Sequence, residues 1–412
     1  MKKSKGMRRI TGPLIILFVL YLSTGAAVDA YSFAYTVADM RQPPAQSGAT
    51  ACPQRDHWST TLPGGINRRW STSLGTNPVT ILTQDQSAGG ALNEIESTIQ
   101  TAFGVWTGVS GTVLLPNTFA ALARTSDEVA CNSLDGLNSV CMNQFDPAFT
   151  TGVIAFTRVT TADTIGDDAV QNHPPSAFVG EILDADVLVR PGDAGTTFAT
   201  PAALPSNPSS YDLESILTHE LGHFLGFEHS GVWSAAMFPF SPVPGTFLNT
   251  RPSVNAPDAP LSDDDRTGLR ALYPDPNDVT HVGIISGQIL PANPLSLAGE
   301  PRVTGIFSGQ VVAVDNATGE VIAAAQAGWS CTTAGPTVFD GSYMLERLLV
   351  GAAQSYQIYV EPFTGPEDSS DVSSALASLC RNALTDLGWP AQFSCRVPGV
   401  NTNFMARIRP PG

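Results

Sequence analysis

The chain of 412 residues carries 37 acidic against 21 basic residues, a formal net charge of −16, and no lysine after Lys5. With no basic cluster downstream, nothing can neutralise phosphates, which excludes nucleic acid and anionic membrane surfaces as partners. The length suits two or three domains rather than one core.

In chain order, Lys2, Lys3, Lys5, Arg8 and Arg9 precede an apolar run from Leu14 to Leu22, with Val28-Asp29-Ala30 before a cut. Residues 1–30 therefore read as a signal peptide, and the mature chain as secreted and extracellular. The run is too short for a stable membrane span, and no later segment is long and apolar enough for one. Six cysteines in an exported chain, with no C-x-x-C pair, imply disulfides. Cys131 with Cys141 and Cys380 with Cys395 would close short loops, while the pairing of Cys52 and Cys331 stays open.

Residues 31–60, rich in Pro, Gln, Ser and Ala, read as an extended lead-in. Arg69-Trp70 and the run Val79 to Thr83 look like a first strand. Leu92, Ile95, Ile99, Ala102, Phe103 and Trp106 keep helical spacing, which predicts an amphipathic helix with its aromatic side in the core. Asp135 to Val140 predicts a turn into a strand, Val153-Ile154-Ala155-Phe156-Thr157 another strand, and Glu181 to Val189 the next. On pattern alone, Asp184 and Asp186 read as two carboxylates on a solvated face.

The chemistry concentrates at His219 to His229, H-E-L-G-H-F-L-G-F-E-H. His219 and His223 lie four residues apart, so a helix stacks them on one face, where they can share a metal ion. Glu220 is the next residue round, close enough to reach a metal-bound water without being a ligand. Leu213, Ile216, Leu217, Leu221, Phe224 and Leu225 keep the helical period, and Asp212 or Ser210 can cap the start. Gly226 can end the helix in a left-handed turn and bring His229 back as a third ligand. Three imidazoles leave one tetrahedral zinc position open, as in a catalytic site.

H-E-x-x-H-x-x-G-x-x-H resembles the metzincin metallopeptidases, and Ser230 after the third histidine resembles their matrixin branch. Ala235-Ala236-Met237-Phe238-Pro239 is similar to the matrixin methionine turn, with Met237 beneath the zinc. The resemblance implies that Val153, Ile154, Ala155 and Phe156 lie on the antiparallel edge strand where an extended substrate adds. It also implies calcium ligands around Asp184 and Asp186. The family's histidine-rich second zinc site is not expected, since His57 and His173 are the only other histidines in this half. Nor is a cysteine switch, because Thr-Ala-Cys52-Pro-Gln-Arg-Asp departs from P-R-C-G-x-P-D.

Residues 239–260 hold six prolines and form the loop that, by resemblance, walls the pocket beyond the scissile bond. Pro239-Phe240-Ser241 departs from the family's Pro-x-Tyr there, so pocket specificity stays open. Ser262 can cap a helix running to about Tyr273, whose acidic first turn suits the helix dipole. Pro274-Asp275-Pro276-Asn277 then breaks the pattern. Short β-like runs follow at Ile284 to Ile289, Gln310 to Val314, Val321 to Ala325, Tyr343 to Leu345 and Tyr356 to Val360. Ser286-Gly287-Gln288-Ile289, Asp315 to Glu320 and Gly341-Ser342-Tyr343 resemble the carboxypeptidase regulatory-like sandwich.

The expected architecture is thus α+β: a metzincin domain over 61–275, with a mixed sheet and an active-site helix, then a small all-β sandwich over 281–412. The expected activity is that of a secreted zinc endopeptidase, in which Glu220 activates a zinc-bound water against peptide bonds of protein substrates. The alternative is a zinc-stabilised extracellular binding protein with little or no peptidase activity. Oligomeric state is left open.

Overall fold

The computed structural model describes residues 69–71, 81–84, 92–114, 135–142, 146–149, 152–162, 165–171, 173–178, 180–192, 196–227, 235–238, 241–245, 260–290, 305, 309–326 and 341–362. The signal peptide, the lead-in, His57, His229, Ser230, Pro239-Phe240, most of the proline-rich loop and the stretch after 362 lie outside these residues, as does every cysteine except Cys141.

The N-terminal half is built on a four-stranded sheet of order β1-β2-β4-β3, made of β1 (Ile81–Gln84), β2 (Asn138–Cys141), β3 (Ala155–Thr161) and β4 (Ile182–Val189). β1, β2 and β4 run parallel, while β3 pairs antiparallel with β4 and lies at one edge of the sheet among the described residues. Trp70 is not in a strand, and Arg69 makes only a single bridge, to Glu181. The first strand therefore begins at Ile81 among the described residues. Helix α1 (Leu92–Thr107) buries Ile95, Ile99, Ala102, Phe103 and Trp106, the apolar stripe set by their spacing. It packs on α2 (Leu213–Phe224), which in turn packs on β3 and β4. Two short strands, β5 (Phe198–Ala199) and β6 (Tyr211–Asp212), pair in parallel and lead the chain into α2.

Helix α3 (Asp263–Leu272) opens with a capping box in which Ser262 and Asp265 bond each other's backbone N–H. The break after it is tied back rather than loose: Thr112 bridges Pro274, and Asp275 N donates to Gly111 O at 3.0 Å. Beyond it come β7 (Val282–Gln288), β8 (Gly309–Asp315), β9 (Val321–Gln326), β10 (Ser342–Leu349) and β11 (Tyr356–Pro362). They form an antiparallel β10-β7 pair and an antiparallel sheet of order β11-β8-β9. Asp315 Oδ1 accepts from Ala317 N and Thr318 N, and Gly319 takes φ +72°, so Asn316-Ala317-Thr318 forms the β8–β9 hairpin turn. β9 and β10 pack on α3, and one apolar cluster runs from Trp70 and Ile99 through Leu217 and Met237 to Val311 and Leu345. No helix among the described residues is long and apolar enough to cross a membrane.

Candidate active site

Helix α2 is fixed at both ends by its own sequence. Asp212 is the N-cap, its carboxylate accepting from Ser215 N at 2.7 Å and from Ser215 Oγ at 2.6 Å. At the C-terminus Gly226 takes φ +105°, where a side chain would be strained. Gly226 N donates to His223 O and Phe227 N to Gly222 O, closing a Schellman motif. The last carbonyls find distant donors: Trp70 Nε1 bonds Phe224 O at 2.8 Å, and Tyr273 Oη bonds Leu225 O at 2.7 Å. Trp106 Nε1 reaches Thr218 O at 2.9 Å. Leu213, Ile216, Leu217, Leu221 and Phe224 are buried, which turns His219 and His223 toward the half-exposed face.

On that face the rings of His219 and His223 have centroids 4.9 Å apart. His219 Nδ1 lies 2.7 Å from Ala236 O, and His223 Nδ1 lies 2.8 Å from Phe227 O. Since a carbonyl only accepts, each Nδ1 carries a proton, which in the neutral imidazole leaves the lone pair on Nε2, the tautomer that a metal-ligating imidazole needs. Both side chains therefore fit zinc by their own hydrogen bonding. No group of three or more His, Cys, Asp or Glu side chains placed to hold a metal occurs among the described residues, His229 lying outside them. Glu220 is 4% exposed, and its Oε2 accepts from Thr157 Oγ1 at 2.7 Å.

The methionine turn sits directly below. Met237 is fully buried, and a Cβ on Gly222 would overlap Met237 Sδ and come within 2.9 Å of Trp106, so only glycine lets the sulfur approach the helix there. Asp265 of α3, also fully buried, accepts from Ala236 N at 2.7 Å and Met237 N at 3.3 Å, and from Ser262 N and Oγ at 2.9 Å each. Burial pushes the Asp265 carboxyl up, against the pull of those donors. The turn that receives the His219 proton donor is thereby held from α3.

Two expectations change. Val153 and Ile154 precede the edge strand, which begins at Ala155 and runs on to Thr161. β4 ends at Val189, so the ladder has no partner for them beyond Arg190 N to Ile154 O and Arg190 Nη1 to Val153 O. Ala155 and Phe156 are in β3 as expected. Asp184 and Asp186 are not on a solvated face: they are 3% and 0% exposed. Burial pushes both up to about 7, helped at Asp184 by the charges of Asp186 and Asp135 and opposed at Asp186 by the Ser139 hydroxyl. Asp186 Oδ1 accepts from Ser139 N and Oγ, whereas Asp184 Oδ1 and Asp186 Oδ2 have no hydrogen-bond partner among the described residues. Of the remaining residues, His173 places Nδ1 2.6 Å from Pro174 O, and Cys141 is disulfide-bonded.

The residues that sequence reasoning missed are Thr157, Trp70, Tyr273 and Asp265. Only Asp265 left a signal, the Ser-x-x-Asp of a capping box, and that says nothing of the methionine turn.

Residues 70–274 match the family model described as matrixin. A stretch of 65 residues is also 38% identical to Metalloendoproteinase 1 of Glycine max, covering 16% of this chain and 18% of that protein. The matched stretch thus spans under a fifth of the length of that curated relative.

Proposed function

Residues 70–274 of this chain are a matrixin-like metzincin domain, and on that premise we propose that the protein is a secreted zinc-dependent endopeptidase acting on extracellular proteins. The observation that carries the proposal is Glu220, a nearly buried carboxylate beside two imidazoles whose Nδ1 atoms both face backbone carbonyls.

His219, His223 and His229 would hold the metal, the last by motif spacing. When bound, zinc acts as a Lewis acid that makes a nucleophile of water at neutral pH and polarises the scissile carbonyl. Glu220 accepts the proton of the attacking water and delivers it to the departing amine. Ala236 O and Phe227 O keep the two imidazoles in one tautomer and orientation throughout. β3 offers its outer edge to an extended peptide, which would bind by adding a strand. A structural zinc site has no use for a carboxylate placed as Glu220 is, which counts against a mere binding protein.

The test is a cleavage profile on a peptide library, with an o-phenanthroline arm in parallel. Cuts at internal bonds that vanish on chelation are expected; a zinc-loaded protein that cuts no peptide overturns the proposal.

The two oxygens of Asp184 and Asp186 that have no partner among the described residues suit a hard cation, and calcium is the proposed occupant. At a concentration a hundredfold above its dissociation constant, calcium adds about 2.7 kcal/mol to stability. The thermal midpoint of the wild type should then rise with calcium, and that of the Asp184→Asn, Asp186→Asn double variant should not. Equal wild-type midpoints with and without calcium remove the assignment. The likeness of β7–β11 to a carboxypeptidase regulatory-like sandwich belongs to the same proposal.

A further inference from the structure

We propose that Thr157 is the positioning residue for Glu220, its hydroxyl reaching from the edge strand to aim the carboxylate that moves the proton. The inference rests on the endopeptidase proposal above. Thr157 Oγ1 lies 2.7 Å from Glu220 Oε2 and 2.9 Å from the main-chain Glu220 O. The strand holds the hydroxyl firmly: Thr157 pairs with Val187 in the middle of the β3–β4 ladder, and a β-branched side chain has few χ1 choices.

One hydroxyl proton faces two acceptors. The charged oxygen makes the stronger bond, so Thr157 donates to Oε2 while Glu220 is ionised. Once Glu220 has taken a proton from water, the roles can reverse. The carboxyl then donates to Thr157 Oγ1, and Thr157 turns its own proton to Glu220 O. The carboxyl keeps a partner in both states, so its plane need not move between accepting the proton and giving it up. Because β3 is also the strand whose outer edge would seat an extended peptide, one element aligns both substrate and base.

A merely structural role, tying β3 to α2, predicts something different: lower stability with no preference between kcat and KM. Full-length Thr157→Val keeps the shape and deletes the hydroxyl, while Thr157→Ser keeps the hydroxyl. For Thr157→Val, kcat should fall about 10- to 100-fold with KM within about threefold of wild type. Thr157→Ser should return kcat to within about threefold of wild type. Crystal structures of both variants supply a readout independent of activity: the Glu220 carboxylate should leave its place in Thr157→Val and hold it in Thr157→Ser. The proposal is overturned by wild-type kcat in Thr157→Val, by a kcat loss that Thr157→Ser shares, or by an unmoved carboxylate in Thr157→Val. If the wild type cuts no peptide, the endopeptidase proposal fails, and the carboxylate position still decides the role of Thr157.

Discussion

Full-length protein carrying Glu220→Ala is expected to retain its fold and its zinc while kcat falls about a thousandfold, roughly 4 kcal/mol of transition-state stabilisation. The groups that hold the site do not pass through this carboxylate. His219 is oriented by Ala236 O, His223 by Phe227 O, and the helix ends by Asp212, Trp70 and Tyr273. Thr157, deprived of Oε2, still has the main-chain carbonyl of residue 220 at 2.9 Å, so its hydroxyl is not orphaned. Zinc content per protein and the unfolding midpoint should therefore stay near wild type as turnover collapses. A variant that cuts peptides at the wild-type rate would refute the role given to Glu220, and one that loses zinc would show that the carboxylate is also structural.

What the sequence made legible was local. The helical period, the Asp212 cap and Gly226 three residues after His223 all act within one turn of the chain, and each appears in α2. The strand pattern also placed β2, β3 and β4 to within a few residues. Contacts that join distant segments were not legible. Trp70 and Tyr273 cap the end of a helix 154 and 48 residues away, and neither an indole nor a phenol announces its acceptor in a sequence. Thr157 looked like any β-branched residue in a strand. The Leu-Asp-Ala-Asp-Val alternation of Leu183 to Val187 suggested one wet face, yet residues packed on the second face bury Asp184 and Asp186 as fully as Ala185 and Val187. Such two-sided burial depends on loops whose course no periodicity encodes.

Asp265 shows how much such a hidden contact can weigh, and Asp265→Ala is expected to cost about 3–5 kcal/mol of stability, at about 1–3 kcal/mol for each buried donor left without an acceptor. Truncation strands the Ala236 and Met237 amides, both buried, and removes one half of the α3 capping box. Asp265→Asn is milder, about 1–2 kcal/mol, the net loss of a hydrogen bond or so. Its one oxygen can take the place of Oδ2, which accepts from Ala236 N, Ser262 N and Ser262 Oγ, leaving only the longer Met237 bond unmade. Urea unfolding of the three proteins gives the ranking, and a wild-type midpoint in Asp265→Ala would remove the argument. The same carboxyl should be felt at the metal. It fixes Ala236 through the amide, and the Ala236 carbonyl fixes His219 through Nδ1. Loss of such an outer support commonly weakens metal binding about 10- to 100-fold. Competition against a zinc chelator should show that loss in Asp265→Ala but not in Glu220→Ala, although both lower turnover. Together the two variants separate the group that moves the proton from the group that keeps the imidazole in place.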